Sequence, residues 1–241
     1  MTTSLDGRTV LVTGANGGLG EQFVRQALQR GAAKVYAAAR SARQWDDARV
    51  QPLTLDLTDP GHAFTAARTA TDVDLLVNNA AVAPFEDSIS GPEDALRQIF
   101  ETNFFGTLRV ARAFTPVLAA NGGGTLLNIL SSAAWVTMPT GYAASKAAMW
   151  SATNALRTEL RPQRTQVIGL LVGMIDTPMS ARWDVPKVTP ASVVAQAYDA
   201  VTTGTLEVLA DDQTRYLKSR LNTPAEQLYP WIDEQIAAMA G

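Results

Sequence analysis

The sequence has no cysteine and a single histidine among its 241 residues. The missing cysteines exclude disulfides, thiolate nucleophiles and cysteine-ligated metals. One histidine, His62, cannot build a histidine-rich metal cluster. No stretch approaches the ~18 consecutive apolar residues of a membrane helix, and no early segment has the order of a secretion signal. These absences predict a cytoplasmic protein that has no membrane partner.

An excess of charge of either sign is also lacking. The chain carries 20 basic and 23 acidic residues, a net charge of −3. Because proteins that bind nucleic acids present a basic face to phosphates, this balance argues against a nucleic-acid partner. The hydrophobic fraction is 46%, which is enough for a sizeable core.

The order of the apolar segments predicts the architecture. Strand patterns are expected at 9–12, 34–39, 49–55, 74–77, 125–130, 166–172 and 206–208. Helical patterns follow every strand except the second, including 60–69, a long helix at 92–120 that Pro116 bends or ends, 142–160 and 190–201, and a helical tail after the last strand carries Trp231, Ile232 and Ile236. Strands that alternate with helices predict an α/β fold with a doubly wound parallel sheet in three layers. With no linker or repeat, a single domain over 1–241 is the simplest interpretation, with a cofactor half at about 1–125 and a catalytic and substrate part at about 126–241.

A glycine-rich turn joins the first strand to the first helix. Gly14, Gly18 and Gly20 follow Thr13 in the spacing G-x-x-x-G-x-G. A phosphate at such a turn meets free backbone N–H groups and the positive end of the helix dipole. An ordinary flexible turn is the alternative, but the order of strand, turn and helix favours a dinucleotide site.

The second strand indicates which dinucleotide binds. An NAD site usually has an acidic residue there for the ribose 2′-hydroxyl, and this chain has no acidic residue between Glu21 and Asp46. Arg40 and Ser41 stand just after the strand instead. A guanidinium at this position binds a 2′-phosphate, so we expect NADP(H), although Arg40 could also be a solvated loop residue.

A second motif carries the chemistry. Tyr142 and Lys146, in Y-A-A-S-K, are one helical turn apart and therefore share a helix face. A nearby ammonium stabilises a phenolate, which suits the tyrosine for proton transfer. The glycine turn and this Y-x-A-S-K motif together resemble the short-chain dehydrogenase/reductase family, whose members have a Rossmann-type fold.

The resemblance implies further site residues. It implies catalytic roles for Asn103, which would hold a relay water linked to Lys146, and for Ser132, chosen over Ser131 because Ser131 is expected to face the other side. Cofactor contacts are implied for Gly14, Asn16, Gly17, Gly18, Leu19, Gly20, Arg40, Ser41, Asp56, Leu57, Asn79, Ala80, Tyr142, Lys146, Gly173, Ile175 and Thr177. Asp56 could equally cap the turn that follows it, and Val172 departs from the family's usual Pro before Gly173.

The expected substrate is a small uncharged ketone or aldehyde, reduced to an alcohol in a reversible reaction. The residues expected around it are Ser132, Ala134, Trp135, Met138, Tyr142, Met179 and Trp183; several of these could simply be core. Two alternatives are an NADP-binding sensor or scaffold without turnover, and an epimerase or dehydratase on the same frame. Family resemblance also implies a homotetramer or homodimer, and the tail that contains Trp231 could pack on its own core or on a partner.

Overall fold

A computed structural model describes residues 4–84, 88, 90–136 and 140–240. Its strands form one parallel sheet in the order β3-β2-β1-β4-β5-β6-β7. The strands are β1 (Thr9–Thr13), β2 (Lys34–Ala39), β3 (Val50–Thr54), β4 (Leu75–Asn78), β5 (Thr125–Ile129), β6 (Gln166–Leu171) and β7 (Glu207–Leu209). The predicted doubly wound parallel α/β fold is confirmed, and each predicted strand lies within one or two residues of its observed bounds.

The strand order reverses at β1, which pairs in parallel with β2 on one side and β4 on the other. Helices cover both faces. They are α1 (Gly18–Gln29), α2 (His62–Thr69), α3 (Glu93–Phe100), α4 (Thr107–Ala120), α5 (Gly141–Glu159), α6 (Pro190–Thr203), α7 (Asp212–Ser219) and α8 (Ala225–Ala240). Where strand order reverses, a crevice opens outside the carboxyl ends of the strands, and ligands of open α/β sheets bind there.

The predicted long helix at 92–120 is interrupted. A π-helical segment, Glu101–Gly106, separates α3 from α4, and α4 continues through Pro116 to Ala120. The proline therefore does not end the helix. Among the described residues, α7 is the helix that the sequence pattern did not predict.

Apolar strands bury side chains on both faces of the sheet, as expected for a parallel sheet. On one face Phe23 of α1 meets Tyr198 of α6 edge-on, with ring centroids 5.4 Å apart. The Tyr198 hydroxyl donates to the Phe23 carbonyl at 2.8 Å, which satisfies a buried polar group. On the other face Phe114 of α4 is fully buried among Leu76 and Leu126. In the part of the chain that the structure describes, no helix is long and apolar enough to span a bilayer.

Candidate active site

A cleft of about 920 Å³ opens at the carboxyl ends of the strands, where the strand order reverses. It brings together most of the residues predicted from the sequence. Those predicted residues that line it are Gly14, Asn16, Gly17, Gly18, Leu19, Arg40, Ser41, Asp56, Leu57, Asn79, Ala80, Ser132, Tyr142, Lys146, Gly173, Ile175, Thr177, Met179 and Trp183. The volume falls in the usual range of ligand and cofactor sites.

The glycine turn forms one end of the cleft, and its glycines differ in what they do. A Cβ on Gly20 would lie 2.0 Å from the Gly14 carbonyl oxygen, so Gly20 allows α1 to pack against the turn; it does not line the cleft. Its predicted cofactor contact is thus replaced by a packing role. Gly17, in contrast, has extended backbone and nothing within 4 Å of an added Cβ. Its open side faces space that a ligand can occupy.

Asn79 fastens this turn to the end of β4. Its side-chain amide donates to the Thr13 carbonyl at 2.9 Å, while the Thr13 hydroxyl accepts from the backbone N–H groups of Asn79 and Ala80. Asn79 and Ala80 thus hold the turn and also line the cleft.

At the end of β2, Arg40 is exposed and lines the cleft beside Asp56. Within the described ranges, no carboxylate lies within salt-bridge distance of Arg40. The Asn16 amide donates to the Ser41 carbonyl at 2.6 Å, which fixes the loop that follows Arg40. Hydrogen bonds from the Thr58 backbone N–H and hydroxyl, with the Arg40 charge nearby, lower the pKa of Asp56. Asp56 thus caps the turn and also faces the cleft.

Tyr142 and Lys146 project from the first turns of α5 into the other half of the cleft. The Lys146 ammonium lies 5.7 Å from the centroid of the Tyr142 ring and donates to the Ile129 carbonyl, at the end of β5, at 2.9 Å. The Tyr142 side chain is hydrogen-bonded to the side chain of Ser131. Three polar side chains, two from α5 and Ser131 from the segment after β5, therefore lie together in this half of the cleft.

This geometry corrects the choice between the two serines. Ser131 was expected to face the other side, yet its hydroxyl contacts Tyr142 and also accepts from the Ala133 backbone N–H at 3.1 Å. Ser132 lines the cleft as well, and its backbone N–H donates to the Val172 carbonyl at 3.0 Å. The chain enters a short 3₁₀ turn at Ser132–Ala134, so strand alternation does not set the direction of these side chains.

Burial shifts both titrating groups. Desolvation raises the pKa of Tyr142 to about 12, and the Ser131 hydrogen bond acts in the opposite direction. Desolvation lowers the pKa of Lys146 to about 8. The Tyr142 phenol therefore stays protonated at neutral pH, while the Lys146 ammonium loses its proton close to neutral pH.

Asn103 lies inside the π-helical segment and is buried. Its amide exchanges two hydrogen bonds with the Val82 backbone and donates to the Ser145 hydroxyl at 3.1 Å. Ser145 in turn donates to the Tyr142 carbonyl at 2.7 Å. The side chain thus ties the loop after β4 to the first turn of α5. The relay water stays a prediction.

At the end of the cleft where the substrate is expected, the lining residues differ from those predicted from the sequence. Ala134 and Trp135 do not line it: Ala134 is buried in a core cluster, and Trp135 packs edge-on against Trp150 with ring centroids 6.2 Å apart. The 3₁₀ turn directs both into the protein. Met138 lies outside the described residues. Additional walls come from residues that the sequence did not identify as site residues, namely Gln98, Thr102, Gln213, Leu217, Trp231 and Ile232.

The model of the short-chain dehydrogenase family matches residues 8–187. The chain belongs to the short-chain dehydrogenase family. This family of oxidoreductases uses a nicotinamide cofactor, and the sequence resemblance is thereby confirmed.

Relatives of this short-chain dehydrogenase have several activities. An NADP-dependent 3-hydroxy acid dehydrogenase of Schizosaccharomyces pombe is 30% identical, over 73% of this chain and 74% of that protein. Human L-xylulose reductase is 32% identical, over 77% of this chain and 80% of that protein. A short-chain dehydrogenase from Burkholderia cenocepacia, solved in complex with NADP, superposes with a TM-score of 0.89 at 35% identity, covering 95% of this chain and 98% of that one.

The cleft of this short-chain dehydrogenase fits such a dinucleotide. The open side of Gly17 leaves room at the N-terminus of α1, where backbone N–H groups attract phosphate. The buried side-chain oxygen of Asn16 has no hydrogen-bond partner among the described residues. At the other half, Ile175 and Thr177 line the cleft beside Tyr142 and Lys146. These residues would hold the cofactor along the cleft.

Proposed function

We propose that the protein is an NADP(H)-dependent reductase that converts a small neutral ketone or aldehyde to an alcohol, in a reversible reaction. The observation that carries the proposal is the convergence of Tyr142, Ser131 and Lys146 inside the cofactor cleft. Cytoplasmic location, homo-oligomer formation and the absence of nucleic-acid and membrane partners stay predictions.

The protein groups account for the proton and for the orientation of the substrate. When bound, the nicotinamide supplies the hydride. The Tyr142 hydroxyl donates its proton to the carbonyl oxygen, and the Ser131 hydroxyl donates a hydrogen bond to the same oxygen. The Lys146 ammonium favours the phenolate that remains on Tyr142 because opposite charges attract strongly in a buried site. Asn103 acts at a distance by holding the first turn of α5 through Ser145.

The preference for NADP(H) is supported at the end of β2. Arg40 offers a guanidinium with no carboxylate paired to it in the described part of the chain, whereas Arg43 is paired with Glu21 at 3.2 Å and stacks on Trp45. Bidentate donors of this kind recognise phosphate. The NADP complex of the Burkholderia relative points in the same direction.

The reaction is tested by mixing the protein with NADPH and a panel of neutral ketones and aldehydes, and following the loss of NADPH absorbance. Turnover is expected for at least one carbonyl, and Tyr142→Phe is expected to abolish it while retaining NADPH binding. Tight NADPH binding without turnover of any carbonyl would favour a sensor or scaffold, and conversion of a substrate without net NADPH consumption would favour an epimerase or dehydratase.

The cofactor preference is tested by Arg40→Asp. The introduced carboxylate repels a 2′-phosphate and accepts from a ribose hydroxyl, so the ratio of kcat/KM for NADPH to that for NADH is expected to fall at least tenfold. An unchanged ratio would show that Arg40 does not select the cofactor. Arg43→Asp is the matched variant, since the partner of that arginine is Glu21.

A further inference from the structure

Helix α7 brings a neutral polar side chain to the substrate end of the cleft. Gln213 and Leu217 both line the cleft, and their spacing of four residues places them on one face of the helix. Met179, Trp183 and Trp231 line the same cleft. The amide therefore stands in surroundings that are otherwise largely apolar.

The position of α7 is fixed against the loop that follows β6. One oxygen of the Asp211 carboxylate accepts from the Thr214 backbone N–H at 2.7 Å and so caps α7, while the other accepts from the Gly173 backbone N–H at 2.7 Å. A single side chain thus ties the first turn of the helix to Gly173. Hydrogen bonds to an ionised carboxylate are stronger than neutral ones, so this connection is firm.

The same connection places Gln213 against the loop that follows β6. A Cβ on Gly173 would lie 3.1 Å from the Gln213 side-chain oxygen. Gly173 follows Val172, whose carbonyl accepts from the Ser132 backbone N–H at 3.0 Å, and Ser131 contacts Tyr142. The loop that Gln213 contacts is therefore hydrogen-bonded to the segment that carries the carbonyl-binding serine, and Gln213, Ser131 and Tyr142 line the same cleft.

The chemistry of the cleft indicates what the amide can bind. Among the described residues that line it, the charged side chains are Arg40, Asp56 and Lys146, of which the first two lie at the opposite end. No hydrogen bond to the Gln213 side chain is present in the described part of the chain. A glutamine amide both donates and accepts, so it suits a neutral oxygen such as a hydroxyl or a carbonyl.

We propose that Gln213 binds a second oxygen of the substrate, and that the preferred substrates are neutral ketones with a hydroxyl or a second carbonyl next to the reacting one. This inference rests on the proposed reductase activity. Asp211 is a positioning residue, because it holds Gln213 through α7 and does not face the substrate itself.

The test compares 2,3-butanedione and 3-hydroxy-2-butanone with 2-butanone, which has the same carbon skeleton and a single oxygen. Wild-type kcat/KM with NADPH is expected to be higher for the two oxygenated ketones. Gln213→Leu should lower kcat/KM for these about tenfold, the effect of losing one hydrogen bond between neutral groups, and should change that for 2-butanone less than about twofold. Gln227→Leu is the matched control, since Gln227 is exposed on α8 and does not line the cleft.

Several outcomes would overturn the inference. An equal loss for all three ketones, or no loss, would remove Gln213 from substrate recognition, and weaker NADPH binding in Gln213→Leu would make it a cofactor contact. The same selective loss in Gln98→Leu but not in Gln213→Leu would assign the contact to Gln98 instead. Reduction of 2-butanone without any preference for the oxygenated ketones contradicts this inference alone, whereas no reduction of any carbonyl contradicts the proposed function.

Discussion

The hydroxyl of Ser131 is the group that the fold directs at Tyr142. The next residue, Ser132, begins a 3₁₀ turn. In the proposed reduction, negative charge develops on the carbonyl oxygen between Ser131 and Tyr142. A donor aimed at developing charge in a buried site contributes more than the same donor in water. The two serines should therefore have unequal effects on the rate.

Ser131→Ala is expected to lower kcat for carbonyl reduction about 10²- to 10³-fold, the usual effect of removing one such donor. Ser132→Ala should lower it less than about tenfold, because the hydrogen bonds of Ser132 to other described residues are made by its backbone N–H and carbonyl. Steady-state kinetics with NADPH measures both. A larger loss in Ser132→Ala would restore the assignment made from the sequence.

The buried Lys146 predicts how the rate depends on pH. Its pKa is lowered to about 8 and that of Tyr142 is raised to about 12, so the lysine loses its charge first as the pH rises. Since kcat/KM for NADPH reports the groups of the free enzyme, it should fall about tenfold per pH unit above pH 8. In Lys146→Arg the remaining activity should lack this inflection, because a guanidinium stays charged. A profile that is flat to pH 10 in the wild type would contradict the prediction.

At the scale of elements, the turn from β1 to α1 separates two uses of glycine. Gly20 is needed for packing, since an added Cβ would lie 2.0 Å from the Gly14 carbonyl oxygen and 2.9 Å from the Asn79 amide nitrogen. Gly17 is needed for space, since nothing lies within 4 Å of its added Cβ. The same substitution at these two sites should therefore act on different properties.

Gly20→Ala is expected to lower the free energy of unfolding by ~1–3 kcal/mol, a typical cost of overpacking, which is a loss of several degrees in Tm for a chain of this length. Gly17→Ala should leave Tm of the free protein within about one degree and weaken NADPH binding at least tenfold. Thermal unfolding and NADPH titration check the pair. Equal effects of the two variants on stability would show that packing at Gly20 and ligand space at Gly17 are not separate roles.

The sequence predicted the strands well because their apolar runs between turn residues are a strong local signal. The π-helical segment at Glu101–Gly106 was missed, since six residues are too few to distinguish its period from that of an α-helix. Helix α7 was missed because it is short and mostly polar, and tertiary contacts such as that of Asp211 with Gly173 fix its position. Gln213 could not be identified for the same reason, since its place in the cleft depends on that packing.

At the scale of the whole molecule, an aromatic row lies on the helices that follow β4. Phe104 is 6.5 Å from Phe100 and 5.1 Å from Phe105, measured between ring centroids, and Phe105 is 50% exposed. Exposed aromatic patches on soluble proteins usually mark an interface. The row therefore favours this face for the association of copies that family resemblance implies.

We expect the wild-type protein to form a homodimer or homotetramer, and Phe105→Asp to shift it to smaller species, because the carboxylate would be desolvated at the interface. Phe64→Asp is the matched control, since Phe64 is 45% exposed on α2, on a different element. Light scattering coupled to size-exclusion chromatography gives the mass of each. A monomeric wild type would contradict the prediction. An equal decrease in mass in both variants would place the interface elsewhere. Because Phe105 follows Asn103 in the π-helical segment, loss of activity together with dissociation would further indicate that association stabilises the segment that holds α5 in place.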